Sequence, residues 1–349
     1  MATIPSKVLE VLKASSPASP AALLDVDQLT VDFETRSGTV HALDQVTLSV
    51  RRGEVVALVG ESGSGKSVSA FAIMGILDAA AKVRSGSIRF DGMELVGASE
   101  RDLRQIRGNR IAMIFQSARS ALNPIQTVAA TLTDVIRAHA RTNMSDADVR
   151  ERMLELLRQV RITDPERRLQ AYPYELSGGM CQRIMIAAAL ACRPDMIIAD
   201  EPTTGLDVTT QSAVMDLLTE LSRERGLAML LVTHDLALAS EYCDRVVVMH
   251  AGHVVESAPR DVFFSHPAHP YSSGLLRAIP DAADSIDALV TLRGNLPDLR
   301  SDSLPGCRFV ARCERAQADC RGPVASVSIG LGHDVKCLYP LVREDAQAA

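Results

Sequence analysis

The chain has 349 residues, 47% of them apolar and 23% charged, with a formal net charge of −6. This is the composition of a soluble globular chain long enough for more than one domain, and an acidic balance without a basic tract argues against a nucleic-acid partner. The longest apolar run, Ile184 to Cys192, falls far short of the ~18 residues that span a bilayer, and the first residues lack the apolar centre of a secretory signal. The expected location is therefore the cytoplasm, with any membrane role acting through a partner.

Taken in order, residues 1–22 mix Ala, Ser and Pro and read as a flexible leader. Alternating Leu24, Val26, Leu29, Val31 and Phe33 predict strands, and Val46 to Val50 continue the pattern. After the turn Arg51-Arg52-Gly53 comes the apolar, β-branched run Val55 to Val59, a buried parallel strand. Gly60, Glu61, Ser62, Gly63, Ser64, Gly65, Lys66 and Ser67 follow, and Val68 to Leu77 reads as a helix. Ser87 to Phe90 with Asp91-Gly92 predicts a strand and turn, and Ile111 to Phe115 a strand ending at Gln116. Helix-period apolar positions over 126–161 mark a helical insertion. Sheet texture returns at Met196–Ala199, Leu227–Val232 and Arg245–Met249, and Pro267 to Ile279 reads as a closing helix, with a boundary near 266–282. Alternating strands and helices predict an open, mostly parallel α/β sheet.

The octet Gly60–Ser67 fits G-x-x-x-x-G-K-S/T in the setting that pattern needs, a strand before it and a helix after it. Backbone N–H groups and the helix dipole form an anion cradle, and glycines let the backbone approach phosphate. Lys66 would reach the β- and γ-phosphates and the Ser67 hydroxyl would sit on Mg²⁺, so the octet predicts a nucleoside triphosphate site. Asp200 ends an apolar strand, where a carboxylate holds the Mg²⁺ hydration shell. Glu201, just beyond, is placed to orient and deprotonate a water, a contribution of about 10²–10⁴ in rate. Ser177, Gly178 and Gly179 open another helix and form a second, lysine-free cradle, which makes sense if it closes over the nucleotide of another subunit. Alone, it is only a capped helix start.

Four of the seven cysteines, Cys307, Cys313, Cys320 and Cys337, fall close together near the C-terminus. Four thiolates suit tetrahedral Zn²⁺ or an iron–sulfur cluster, and plain thiols remain the third reading. The absence of C-x2-C tilts toward the cluster. Cys181, Cys192 and Cys243 read as small buried residues.

Gly60–Ser67, Gln116, L-S-G-G-M (176–180), I-I-A-D-E-P-T-T-G-L-D (197–207) and V-T-H-D (232–235) stand in the order and spacing of an ATP-binding-cassette ATPase. The resemblance covers residues 23–265. It implies a P-loop NTPase of the ABC type, with a RecA-like parallel core, an antiparallel β subdomain and a helical subdomain over about 117–192. By that resemblance Gln116 is the Q-loop glutamine, contacting Mg²⁺, water and the membrane partner. His234 is the switch histidine on the γ-phosphate, Asp207 the D-loop aspartate at a dimer seam, and Ser177, Gly178 and Gly179 contact the opposite subunit's ATP. Met180 and Cys181 depart from the usual signature ending, and the adenine-stacking aromatic is open, with Phe33 the first candidate.

Local strings resemble the dipeptide/oligopeptide and nickel importer branch: M-I-F-Q with S-A-L-N-P (113–124), Y-P-Y-E-L-S-G-G-M (172–180), H-P-Y (269–271) and L-P-G-C-R-F (304–309). L-S-G-G-M is similar to the first of that branch's two paired ATPases, while Ser117-Ala118-Arg119 departs from its D-P-x. The resemblance implies a C-terminal extension over 266–349 whose four cysteines hold a 4Fe–4S cluster, with zinc the alternative. It also implies a paralogous ATPase partner rather than a homodimer, two integral membrane permease subunits and, indirectly, a substrate-binding protein, at the cytoplasmic face of the inner membrane. The expected cargo is a di- or oligopeptide, with nickel or another small solute as the alternative. A non-transport cassette acting on nucleic acid is the rival class; such chains usually carry tandem cassettes or a long coiled coil, and neither pattern is present here.

Overall fold

The computed structural model describes residues 22–139, 144–279, 292–301, 303–330 and 332–341. The leader reading, apart from its last residue, lies outside the described residues. So does part of the segment assigned to the 266–282 boundary.

Two sheets organise the molecule. The larger has eight strands in the order β11-β12-β10-β9-β3-β8-β7-β6. Its centre is parallel: β3 (Val55–Val59) lies between β8 (Ala228–Thr233) and β9 (Arg245–His250), and β7 (Met196–Asp200) joins β8 to β6 (Ile111–Ile114). All residues of β3, β6, β7 and β8 are buried, which is why they read as unbroken apolar runs. Side chains alternate between two cores. Ala57 and Val59 face the helices and helical subdomain, whereas Val56 and Leu58 face the second sheet.

That second sheet is antiparallel, in the order β2-β1-β4-β5: β1 Leu24–Thr35, β2 Gly38–Val50, β4 Ala81–Phe90 and β5 Met93–Glu94. The helix Lys66–Met74 is covered by it, with Ala70, Ile73 and Met74 in the shared core. Gly75 in the left-handed conformation ends this helix, three residues after Ala72 and short of Leu77. The expected helical insertion is built from Val128–Ala138 and Asp146–Gln159, packed through Leu132, Ile136, Leu156 and Leu157 on the signature helix Gly178–Leu190.

The C-terminal residues add to the main sheet. β10 (His253–Pro259) pairs antiparallel with β9 and then with β12 (His333–Val335), which pairs with β11 (Val327–Gly330). Tyr271, Phe263 and Phe309 enter the main core. Sequence patterning did not find these strands. β10 carries Glu256 at its centre, 1% exposed, and a buried charge breaks apolar alternation.

Candidate active site

The cradle forms where β3 ends. Gly60 has φ +151° and a Cβ there would lie 2.2 Å from the Met249 carbonyl oxygen; at Gly65, with φ +105°, it would lie 2.8 Å from Leu43. Only glycine lets the turn sit this close to its neighbours. Lys66 starts the helix and is 6% exposed. Its Nζ donates to the carbonyls of Gly60 at 2.8 Å and Glu61 at 3.0 Å, which holds the ammonium across the loop mouth. Burial depresses the Lys66 pKa, opposed by the carboxylates of Glu201, Asp200 and Glu61. Gly63 also adopts positive φ, and the Ser64 hydroxyl is buried without a hydrogen-bond partner. Ser62 is exposed.

Ser67 Oγ donates to Asp200 Oδ1 at 3.1 Å, joining the cradle to the end of β7. Asp200 is 4% exposed, and burial raises its pKa. Two hard oxygen donors side by side, one of them a desolvated carboxylate, fit Mg²⁺.

Glu201 collects three further side chains. Gln116 Nε2 donates to its Oε2 at 2.6 Å, Thr204 Oγ1 to the same oxygen at 2.9 Å, and His234 Nδ1 lies 3.0 Å from Oε1. Burial works to raise the Glu201 pKa, but hydrogen bonds from His234 and Thr204 outweigh it and the net shift is downward. The carboxylate is therefore ionised at neutral pH. Its backbone is in the left-handed region, φ 46°, held by an N–H···O bond to Val232 on the adjacent strand. Strain of this kind in a non-glycine residue persists where surroundings over-determine it. Cradle, Asp200, Glu201, Gln116 and His234 thus form one site at the C-terminal edge of the parallel strands.

Ser177, Gly178, Gly179 and Asp207 do not join it. Ser177 caps the helix Gly178–Leu190 through Met180 N–H, and Asp207 caps Val208–Arg225 through the Thr210 N–H and hydroxyl. With Arg183 they line a separate concave surface. Gly179 is needed there, since a Cβ would lie 2.7 Å from Thr210 Cγ2. Arg119, in the segment that departs from D-P-x, donates to the Leu176 carbonyl at 3.3 Å and so ties the residues after Gln116 to the start of this second cradle. Phe33 is half-buried against the antiparallel-sheet core.

Cys307, Cys313, Cys320 and Cys337 line a single small recess with His269 and Tyr339. All four are free thiols. Burial and the neighbouring thiols raise Cys307 and Cys313, and Cys337 is pushed up to about 11. Among the described residues no three His, Cys, Asp or Glu side chains are placed to hold one metal ion. The four cysteines share the lining of this recess, but as it stands they form no metal-holding group. Cys181 and Cys243 are buried, as expected, and Cys192 half-buried.

Sequence reading missed two groups that fasten this tail, one to the main sheet and one to the phosphate loop. Glu256 accepts hydrogen bonds from the Ala268 and His269 N–H groups and from His333 Nε2, at 2.7, 2.8 and 2.8 Å. Arg312 pairs with Glu61 inside the cradle. Glu256 reaches His333 across 77 positions and Arg312 reaches Glu61 across 251, and no local pattern announces either contact.

The ABC transporter family matches residues 43–204, and the oligopeptide/dipeptide transporter C-terminal region matches residues 255–320. The chain is 45% identical over 321 residues to the dipeptide transport ATP-binding protein DppD of Escherichia coli (strain K12), covering 92% of this chain and 97% of that protein. A putative peptide import ATP-binding protein of Brucella abortus (strain 2308) is 44% identical, over 93% of this chain and 97% of the relative. Among solved structures, a dimeric post-hydrolysis state of the ATP-binding cassette MJ0796 bound to ADP and Pi superposes with a TM-score of 0.62 at 30% identity, covering 68% of this chain and 98% of that one. Among the described residues no helix is long and apolar enough to cross a membrane. The chain belongs to the ABC transporter family and is one of its ATP-hydrolysing subunits, in the branch that carries the oligopeptide/dipeptide C-terminal region.

Proposed function

We propose that this subunit powers import of di- or oligopeptides through separate membrane permeases, with a substrate-binding protein delivering the cargo. Close relatives named for dipeptide and peptide import support that cargo over nickel or another small solute. ATP lies between the Gly60–Ser67 cradle of one ATPase subunit and the Ser177–Gly179 surface of another. The observation that carries this reading is that the two helix starts, at Lys66 and at Gly178, lie on separate surfaces of one chain. That a related cassette has been solved as a dimer supports a two-subunit arrangement. The second ATPase is read as a paralogue, with the complex at the cytoplasmic face of the membrane.

Ser67, Asp200 and Gln116 would hold Mg²⁺, which when bound would neutralise phosphate charge. Lys66 and His234 contact the γ-phosphate. Ionised Glu201 takes a proton from the water that attacks the γ-phosphorus as the bond to the β–γ bridging oxygen breaks. Gln116, Thr204 and His234 keep its carboxylate aimed. Asp207 sits at the seam between subunits.

The recess of Cys307, Cys313, Cys320 and Cys337 is read as the seat of a 4Fe–4S cluster. What supports the reading is that all four cysteines line one recess, as the ligands of one cluster would have to. Such a group would cross-link a tail that has little core of its own.

For the ATPase reading, Glu201→Gln in the assembled transporter should retain ATP binding and lose most turnover. Near-normal turnover removes Glu201 from the base role, and co-purification with ribosomes or DNA in place of membrane subunits rejects the transport reading. For the tail, anaerobically purified protein should be brown, with iron and acid-labile sulfide. Stoichiometric zinc without iron rejects the cluster.

A further inference from the structure

The C-terminal extension reaches into the phosphate cradle. Between Cys307 and Cys313 the chain makes a tight turn, Val310–Arg312, and its side chains leave on two sides. Cys307 and Cys313 face the recess they share with Cys320 and Cys337. Arg308 and Arg312 point elsewhere. Arg308 donates to the Ala251 carbonyl and, at 3.0 Å, to Asp44 Oδ2 on β2. Arg312 meets Glu61, the residue after Gly60, with both ends of its fork: Nη1 to Oε2 at 2.7 Å and Nη2 to Oε1 at 2.8 Å.

This pair is not an ordinary surface bridge. The Arg312 side chain is 5% exposed, lies 5.5 Å over the Phe309 ring, and donates from Nε to the Arg293 carbonyl at 2.9 Å. Its other neighbour, His250, is buried, and burial with the Arg312 charge depresses its pKa to about 3, so that imidazole is neutral and Glu61 is the anion the guanidinium faces. Bidentate, charge-assisted bonds fix orientation as well as distance.

Glu61 is held at its backbone too. Its N–H donates to Tyr271 Oη at 2.9 Å, from the helix Pro270–Arg277. Its carbonyl is one of the two acceptors of Lys66 Nζ, at 3.0 Å. Leu296, also from the extension, lies 3.3 Å from where a Cβ on Gly63 would stand. A contiguous chain of contacts therefore runs from the extension through Glu61 to Lys66.

We infer that Arg312 is a positioning residue for ATP: by clamping the Glu61 carboxylate it fixes the phosphate loop in the shape that presents Lys66 and the loop N–H groups to the triphosphate, making the C-terminal extension part of the nucleotide site. The inference rests on the reading of Gly60–Ser67 as the triphosphate cradle, and it assigns Arg312 no contact with ATP. Because Glu201, Gln116 and His234 have no bond to Arg312, its loss should act on binding and leave the chemical step alone.

The test measures ATP binding to the full chain with a fluorescent ATP analogue, and KM and kcat in the assembled transporter. Arg312→Ala should raise Kd and KM about tenfold, with kcat at saturating ATP within about twofold of the parent. Glu61→Gln should do the same, and the double variant should be no weaker than either single one, since both remove one interaction. Lys66→Ala serves as the control for the cradle itself and should abolish binding. If Lys66→Ala binds normally, the cradle reading fails. If Lys66→Ala abolishes binding while Arg312→Ala stays within twofold of the parent, only the positioning role fails. Additive losses in the double variant, or a lowered kcat at unchanged KM, would also overturn it. Should Arg312→Ala not fold, Arg312→Lys, which keeps charge and length but loses the fork, should raise Kd about threefold, and an unchanged Kd refutes the role.

Discussion

Removing the Glu256 carboxylate tests how the C-terminal extension is fastened. Glu256 lies in β10, 1% exposed, with its carboxylate shared among the Ala268 N–H, the His269 N–H and His333 Nε2 on β12. Burial alone would raise its pKa, yet hydrogen bonds from His333 and the backbone pull it below the usual carboxylate value. The charged form is thus favoured in the fold, and its stabilisation is present above the unfolded carboxylate pKa and lost as pH falls through the lower folded value. Glu256→Ala strands two backbone N–H groups and an imidazole, and a buried hub broken from one side costs about 3–5 kcal/mol. At about 2 cal/mol/K per residue of unfolding entropy, a chain of this length should lose roughly 6 °C in Tm. Glu256→Gln, which keeps the shape and one acceptor oxygen, should lose about half as much. The assay is calorimetry on the purified chain, with Arg300→Ala as reference, since its exposed pair with Asp298 contributes little. A Glu256→Ala midpoint within about 2 °C of the parent refutes the view that this carboxylate joins extension to sheet.

Two further outcomes follow from particular side chains. His250, His253 and His269 are buried, and burial depresses their pKa values to about 3, 4 and 4. The unfolded chain therefore binds protons below about pH 6.5 that the folded chain refuses, and stability falls as pH falls, by about 2 kcal/mol per histidine at pH 5; a Tm that stays flat from pH 7 to 5 contradicts this. Arg119→Ala removes the bond to the Leu176 carbonyl beside Ser177. It should leave ATP binding by the isolated chain unchanged and slow hydrolysis several-fold in the assembled transporter, and full-rate hydrolysis there refutes the link.

Legibility in the sequence tracked how local each physical cause is. Val55–Val59, Met196–Asp200 and Ala228–Thr233 are buried on both faces, so each writes itself as a continuous apolar run. The phosphate cradle is equally local, because its glycines, lysine and hydroxyl must follow one another along a strand–turn–helix. Glu201 was named from its place after an apolar strand, and Gln116 and His234 from the resemblance, but their meeting around one carboxylate depends on β6, β7 and β8 lying side by side. The extension was the hardest part to read. Its strands are three and four residues long, its sheet contact runs through buried Glu256, and Arg312 meets Glu61 from 251 positions away. A lone Arg or Glu carries no period, and a pairing over that separation is set by tertiary packing.

The same geometry explains why the extension belongs with the nucleotide site and not beside it as a separate body. Among the described residues of the extension few apolar side chains are buried, Tyr271, Phe309, Val310, Cys320, Val324 and Val335 chief among them, and these are too few to hold the segment folded alone. Its order must come from what it grips: β10 through β12, β2 through Arg308 and Asp44, and the phosphate loop through Arg312, Tyr271 and Leu296. Each grip is reciprocal, since a contact that orders the extension also restrains the element it touches. Of the three, only the phosphate loop must meet a triphosphate, and its glycines make it the part with most conformational freedom to lose. Restraint supplied there before ATP arrives lowers the ordering cost that binding would otherwise meet. For the same reason, a group bound at Cys307 and Cys313 would act on the turn Val310–Arg312, and its effect should be sought first in nucleotide affinity.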